Sequence, residues 1–171
     1  MLLKKAIYWI DSINEWSGHM VAWLILLMAL TIVYQASMVA LFAIGSVALQ
    51  ELQWHLFALL FLIGSGYTLK HDEHVRVDII YKSNWLTDRH RAWIDLLGGL
   101  FMLIPFCVLI IIATWPFVYN AFIHVESSPD PGGLPYRFLL KAMIMLGFIL
   151  LMLQGIANSL KNLLYLLEEK D

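Results

Sequence analysis

Between Lys70 and Lys82 the sequence reads "KHDEHVRVDIIYK", a dense run of side chains able to do acid–base or ligand chemistry. His71 and His74 with Asp72, Glu73 and Asp78 supply the imidazoles and carboxylates that a divalent metal or a proton-transfer pair requires. The run lacks a nucleophile beside a base, and its carboxylates are expected at a wet surface. No residue is therefore assigned as catalytic, and none as a metal ligand. The remaining histidines, His19, His55, His90 and His124, raise a second chemistry: two histidines on facing helices can ligate haem b. Only His55 and His124 fall near the same outer face, where solvated interfacial histidines are the simpler account. No Cys-x-x-Cys-His, HExxH or phosphate-cradling glycine loop is present. The single cysteine, Cys107, excludes an internal disulfide and any multi-cysteine metal site.

The charged run has a pattern. Val75, Val77 and Ile79 alternate with His74, Arg76 and Asp78, which suits a short extended piece with one apolar face. Arg76 and Asp78, two apart, then share a face and can pair. Asp78 can cap a short amphipathic helix, "IIYKSNWL", lying at the membrane interface, and Thr87 or Asp88 can cap the helix that follows. A solvated loop explains the lysines and arginines. The regular alternation points instead to a surface that meets something specific.

The elements around this run are set by composition. Of 171 residues, 61% are hydrophobic and 14% charged, with a mean hydropathy of +0.75. Soluble domains average about 45–50% apolar and about 25% charged, so this chain has too little polar surface to cover a water-soluble globule. Its net charge of -2 leaves no nucleic-acid footprint. Four stretches, 20–44, 54–69, 93–122 and 138–164, approach or exceed the roughly 20 helical residues that cross a bilayer. In lipid only a helix or a closed barrel satisfies its own backbone. The expected fold is an all-α membrane protein with four transmembrane helices in a single domain, 1–171, and interfacial amphipathic segments at 4–19 and 70–91. The third span is longer than a perpendicular crossing needs, and Pro105 and Pro116 offer places to kink it.

Lysine and arginine fix the expected orientation. Nine lie in 1–19, 70–91 and the C-terminal tail, against Arg137 and Lys141 on the other side. Both termini and the charged loop are therefore expected in the cytoplasm. The apolar start "AIYWI" is interrupted by Asp11, so it does not read as a cleavable signal. Trp9, Trp16 and Trp23 recur every seven residues and share a helix face with Ile13 and Met20. That face reads as an interfacial helix with indoles at headgroup level, a reading compatible with packing onto a partner protein.

No charged residue falls near the middle of a span. The mild polar residues there (Thr31, Tyr34, Gln35, Ser37, Ser65, Gln154 and Asn158) read as interhelical glue rather than a solute path. Gly64, Gly66, Gly98 and Gly99 read as sites of close helix approach. The outer loop "SPDPGGLP" is stiffened by proline and turned by glycine. It is either a compact turn between two long helices or a rigid knob on which Glu126, Asp130 and Arg137 offer polar contacts.

"HVRVDIIY", preceded by "GSGYTLK" and followed by "RHRAWIDLLG", resembles the signature of the small membrane subunit of tripartite ATP-independent periplasmic (TRAP) transporters. "ESSPDPGGLPYR" and "LGFILLMLQGIA" resemble a subgroup of the same family, and the similarity covers roughly residues 20 to 165. Lys70 departs from the arginine often found there, keeping the charge without the bidentate fork. The resemblance implies a bacterial inner-membrane subunit that is not an enzyme and carries no cofactor of its own. Its partners would be a large, elevator-type membrane subunit, which moves an organic acid with sodium ions, and a soluble periplasmic binding protein. Membrane lipids surround it, and nucleic acid is not a partner. On this resemblance His74, Arg76, Asp78, Arg89 and Arg91 form the interface with the large subunit, and Glu126, Asp130 and Arg137 help dock the binding protein. The alternative is a membrane anchor of a respiratory complex with a haem b or quinone site.

Overall fold

A computed structural model describes residues 2–73 and 86–168. His74, Arg76 and Asp78, the expected extended piece and all of the expected "IIYKSNWL" helix but Leu86 lie outside the described residues. Helix α1 runs Leu2–Phe42, α2 Val47–Lys70, α3 Asp88–Gly98, α4 Ile104–Ile123 and α5 Phe138–Glu168. A π-helical turn, Gly99–Leu103, joins α3 to α4. The described residues contain no strand. Four helical units (α1, α2, α3 through α4, and α5) are long and apolar enough to cross a membrane.

Local chemistry sets the ends. Ser46 accepts a bond from the Leu49 N–H at 3.4 Å and starts α2 seven residues before the most apolar stretch; good helix formers such as Leu49, Gln50 and Glu51 fill the gap. Of the two expected caps on α3, Thr87 is the one used: its hydroxyl accepts from the His90 N–H. α2 closes with Asp72 in the left-handed region (φ 61°) and the Glu73 N–H on the Thr68 carbonyl at 3.0 Å. α4 closes in the same way with Val125 (φ 45°) and Glu126 N–H on Ala121 O at 3.0 Å, a costly place for a β-branched residue.

The first element differs from its sequence reading. The 4–19 segment and the 20–44 span are two parts of one unbroken helix of 41 residues, about 61 Å long at about 1.5 Å per residue. The third unit is interrupted where proline demands it. Pro105 has no N–H, and its ring crowds the carbonyl of Phe101. The backbone widens just before it, and Ile104 N–H reaches back five residues to Gly99 O. Pro116 lies inside α4 without ending it.

The helices form an open layer in the order α1, α2, α5 and then α3–α4, with the N-terminal part of α1 also reaching α5. α5 is the central element. It carries most of the buried positions, among them Gly147, Leu150, Leu151, Gln154 and Ala157. Gly147 lets α2 approach: a Cβ there would stand 2.7 Å from the Leu62 carbonyl oxygen. Phe106 meets Phe148 edge-to-face at 6.0 Å, joining α4 to α5, and Ala92, Leu96 and Leu166 bury together where α3 crosses the end of α5. Lys4 and Glu168 are 3.2 Å apart, so both ends of the described chain lie at one end of the layer, with the end of α2 and the start of α3. Residues 43–46 and 124–137 connect helices at the other end.

Candidate functional site

Polar side chains gather at two levels of this otherwise apolar layer. The first is a seam between α1, α2 and α5 at the termini end. Asn14 and Gln154 are both wholly buried, and Asn14 Nδ2 donates to Gln154 Oε1 at 3.0 Å. Gln154 Nε2 donates to Asp11 at 2.9 Å and to Asn158 at 3.0 Å. Asn158 Nδ2 donates to the carbonyl of Leu69 at 3.2 Å, near the end of α2. Lys161 closes the seam on Asp11 at 2.8 Å. Gln154 and Asn158 each both accept and donate, while Asn14 only donates, its Oδ1 buried against Gly66 without a hydrogen-bond partner; the chain of bonds is therefore directional and joins three helices.

One turn further along α1, Glu15 gathers a lysine and two histidines. Lys70 lies 2.5 Å from it, His71 2.8 Å and His19 3.1 Å. Tyr67 lies beside His71 with ring centroids 4.4 Å apart and the rings tilted by 46°. Asp11, Asn14, Glu15 and Gly18 follow helical spacing on one face of α1, opposite the tryptophans. The sequence reading passed over this face, although its i, i+3, i+4, i+7 pattern was present to be read. Gly66 makes room for the seam: a Cβ there would meet Asn14 Oδ1 at 2.2 Å. Gly99 is likewise close to Ser159. Gly64 and Gly98 have open space around them, so close approach explains only one glycine of each expected pair. Gly98 and Gly99 help line a cavity of about 660 Å³ with Lys70, Asp95, Asn158 and Lys161, between the end of α2, α3 and α5.

The second level is the 124–137 loop. Glu51, in the first turns of α2, accepts from Ser128 Oγ and from the Leu134 N–H at 2.6 Å. Ser128 N–H bonds Leu134 O at 3.0 Å, and Gly132, with φ 80°, makes the turn between them. Glu126 pairs with Lys141, whose ammonium also lies 3.8 Å from the centre of the Phe117 ring. Arg137 N–H bonds Glu126 O at 2.8 Å. Of the three residues expected to offer polar contacts, Glu126 is thus engaged by Lys141 and Arg137 is half-buried at the loop base, while Asp130 is exposed in the turn. Glu51, the residue that pins the loop, was not singled out in the sequence.

The remaining candidates sit apart. Arg89 is exposed at the start of α3, and Arg91 pairs with Asp88 at 3.1 Å. His55 and His124 each direct Nδ1 to a carbonyl one turn back in its own chain segment, and α5 lies between the helices α2 and α4 that carry or precede them. Among the described residues no cluster of three or more His, Cys, Asp or Glu side chains is arranged to hold a metal. Gln35 and Gln53 bond each other at 2.9 Å across α1 and α2.

A family model for the DctQ component of tripartite ATP-independent periplasmic transporters matches residues 28–164, from the middle of α1 to the last turns of α5. The chain belongs to that family. The match takes in α2, α3, α4 and the pinned loop of this DctQ component, and leaves the Trp9–Trp23 part of α1 outside. A comparison with curated proteins found no significant match. As a DctQ component the chain is a multi-pass membrane protein and the small membrane subunit of a TRAP transporter, a transport assembly rather than an enzyme family.

Proposed function

We propose that this DctQ component is a fixed scaffold for the large membrane subunit of its transporter and does not itself conduct solute. The observation that carries the reading is where its interior polar groups go. Asn14, Gln154, Asn158, Gln35 and Gln53 bond one another or backbone, mostly across helix interfaces, and the one unpaired oxygen among the buried amides, Asn14 Oδ1, is packed against Gly66 of α2. Groups that bind a passing solute face a path instead, and the ionisable ones among them lie near the middle of the bilayer. The open layer adds to this: a four-helix sheet with two broad apolar faces is suited to lie against another membrane protein.

The finer reading is a sodium-driven importer of an organic acid in a bacterial inner membrane, with the sodium sites in the large subunit. Both termini and the 70–91 segment face the cytoplasm, where His74, Arg76, Asp78, Arg89 and Arg91 meet the large subunit. The 124–137 loop faces the periplasm, where Asp130 and the backbone held by Glu51 present a rigid shape to the binding protein. Liposomes test the reading. Sodium-dependent uptake is expected only when this chain, the large subunit and the loaded binding protein are all present. Uptake by vesicles holding this chain alone would refute the scaffold role. Wild-type uptake and complex recovery for both Arg76→Ala and Asp78→Ala would remove those two residues from the interface.

A further inference from the structure

α1 carries two seams. Ile7, Asn14 and Val21, seven residues apart, are buried against α2 and α5. Trp9, Trp16 and Trp23, also seven apart, are 61%, 67% and 71% exposed. Residues two apart on a helix point roughly 200° from each other, so the tryptophan seam is the back of the buried one. Ile13 and Met20 alternate with the indoles, and Leu27, Leu30 and Tyr34 continue the series in steps of four and three; all five are exposed. A spacing of about 3.5 residues held over several turns is the signature of a helix that has another helix lying along it.

Lipid alone does not fit this face. Trp9 and Trp23 are about 21 Å apart along the axis, whereas the headgroup layer on each side of a bilayer is about 5–7 Å deep. α1 cannot lay its first turns flat on the surface, because Asp11 is held by Lys161 and Gln154, and Ile7 is buried. Those turns stand beside the end of α5, past Lys70 where α2 stops. A second copy of the chain does not fit either. Like seams would set indole against indole at successive levels, and the paired bulk of three indoles holds helix axes wider than the usual separation of about 8–10 Å.

We propose that the Trp9–Trp16–Trp23 face of α1 seats a membrane helix of the transporter's large subunit, one that presents small residues and continues out of the bilayer. The proposal rests on the scaffold reading above and assigns it a contact face. The test places a photoreactive phenylalanine at position 9, 16 or, as the comparison, 112 on α4, where Ile112 is 68% exposed. Each variant is co-expressed with the large subunit, irradiated in membranes and purified through a tag on that subunit. Positions 9 and 16 are expected to give adducts with the large subunit, while 112 gives only lipid adducts. Trp9→Ala with Trp16→Ala should lower complex recovery about tenfold, as loss of two aromatic anchors implies, with helical content unchanged. Recovered complex with only lipid adducts at 9 and 16, or with large-subunit adducts at 112 alone, overturns the proposal and leaves the scaffold reading standing. Adducts between two copies at 9 or 16 overturn it in favour of self-association. Failure of the unsubstituted chain to co-purify with the large subunit sinks both.

Discussion

Asn14 on α1 and Gln154 on α5, 140 positions apart in the chain, share a 3.0 Å hydrogen bond with both side chains fully buried. Around that bond the layer acquires its register. Asp11, Asn158 and the Leu69 carbonyl depend on the same amide chain, so three helices are aligned in height by one connected set of donors and acceptors.

Replacing Gln154 by leucine keeps the volume and strands Asn14. The expected loss is about 1–2 kcal/mol, since interhelical bonds in membranes are individually modest. Asn14→Leu should cost a similar amount, and the double variant less than the sum. Thermal unfolding of the detergent-solubilised chain measures all three; additive losses would show that the two amides act independently.

Glycine substitutions should divide by their surroundings. Gly147→Ala drives a Cβ to 2.7 Å from backbone of α2, which has no flexible end to move aside, and should cost about 1–3 kcal/mol. Gly98→Ala meets nothing within 4 Å and should stabilise α3 by up to about 1 kcal/mol through helix propensity. Melting temperatures moving in the same direction for both would contradict the helix spacing described here.

Glu51→Gln keeps a hydrogen-bond acceptor but removes the charge that Ser128 and the Leu134 N–H share. The 124–137 loop should become several-fold more sensitive to limited proteolysis, with the helices intact. Where the loop docks the binding protein, uptake should need a higher concentration of that protein. Protease resistance equal to wild type would mean that Glu51 does not pin the loop.

Val125 ends α4 at φ 45°, a region that costs a side-chain-bearing residue about 1–2 kcal/mol. Val125→Gly should remove that cost and raise the melting temperature, offset in part by the greater freedom of glycine in the unfolded chain. A lower melting temperature would indicate that the exposed valine contributes more by contact than it loses by strain.

Orientation can be read with thiol labelling. Cys107 is wholly buried, so in a Cys107→Ala background new cysteines report alone. An impermeant maleimide added to right-side-out vesicles should label Asp130→Cys and spare Lys5→Cys. The reverse pattern would invert the topology.

Much of this architecture was legible in residue order alone. The four apolar stretches, the helix cap at Thr87 and the proline-directed break before α4 rest on side chains acting on their own neighbourhood. Hydropathy, capping and a missing N–H are local properties, and a helix in lipid needs no distant partner to satisfy its backbone. The family signature was likewise a property of the written sequence, carried in "HVRVDIIY" and its flanks. The same order placed Gln154 and Asn158 as glue without naming what they would join. Tertiary structure decided the rest: that 4–19 continues rigidly into the first span, that Asn14 and Asp11 meet α5, that Glu51 holds a loop some eighty residues later, and that Gly66 is crowded while Gly64 is open. These facts depend on which helix faces lie together. In so apolar a chain many faces are greasy enough to serve, and only the few polar side chains that must find one another select among them.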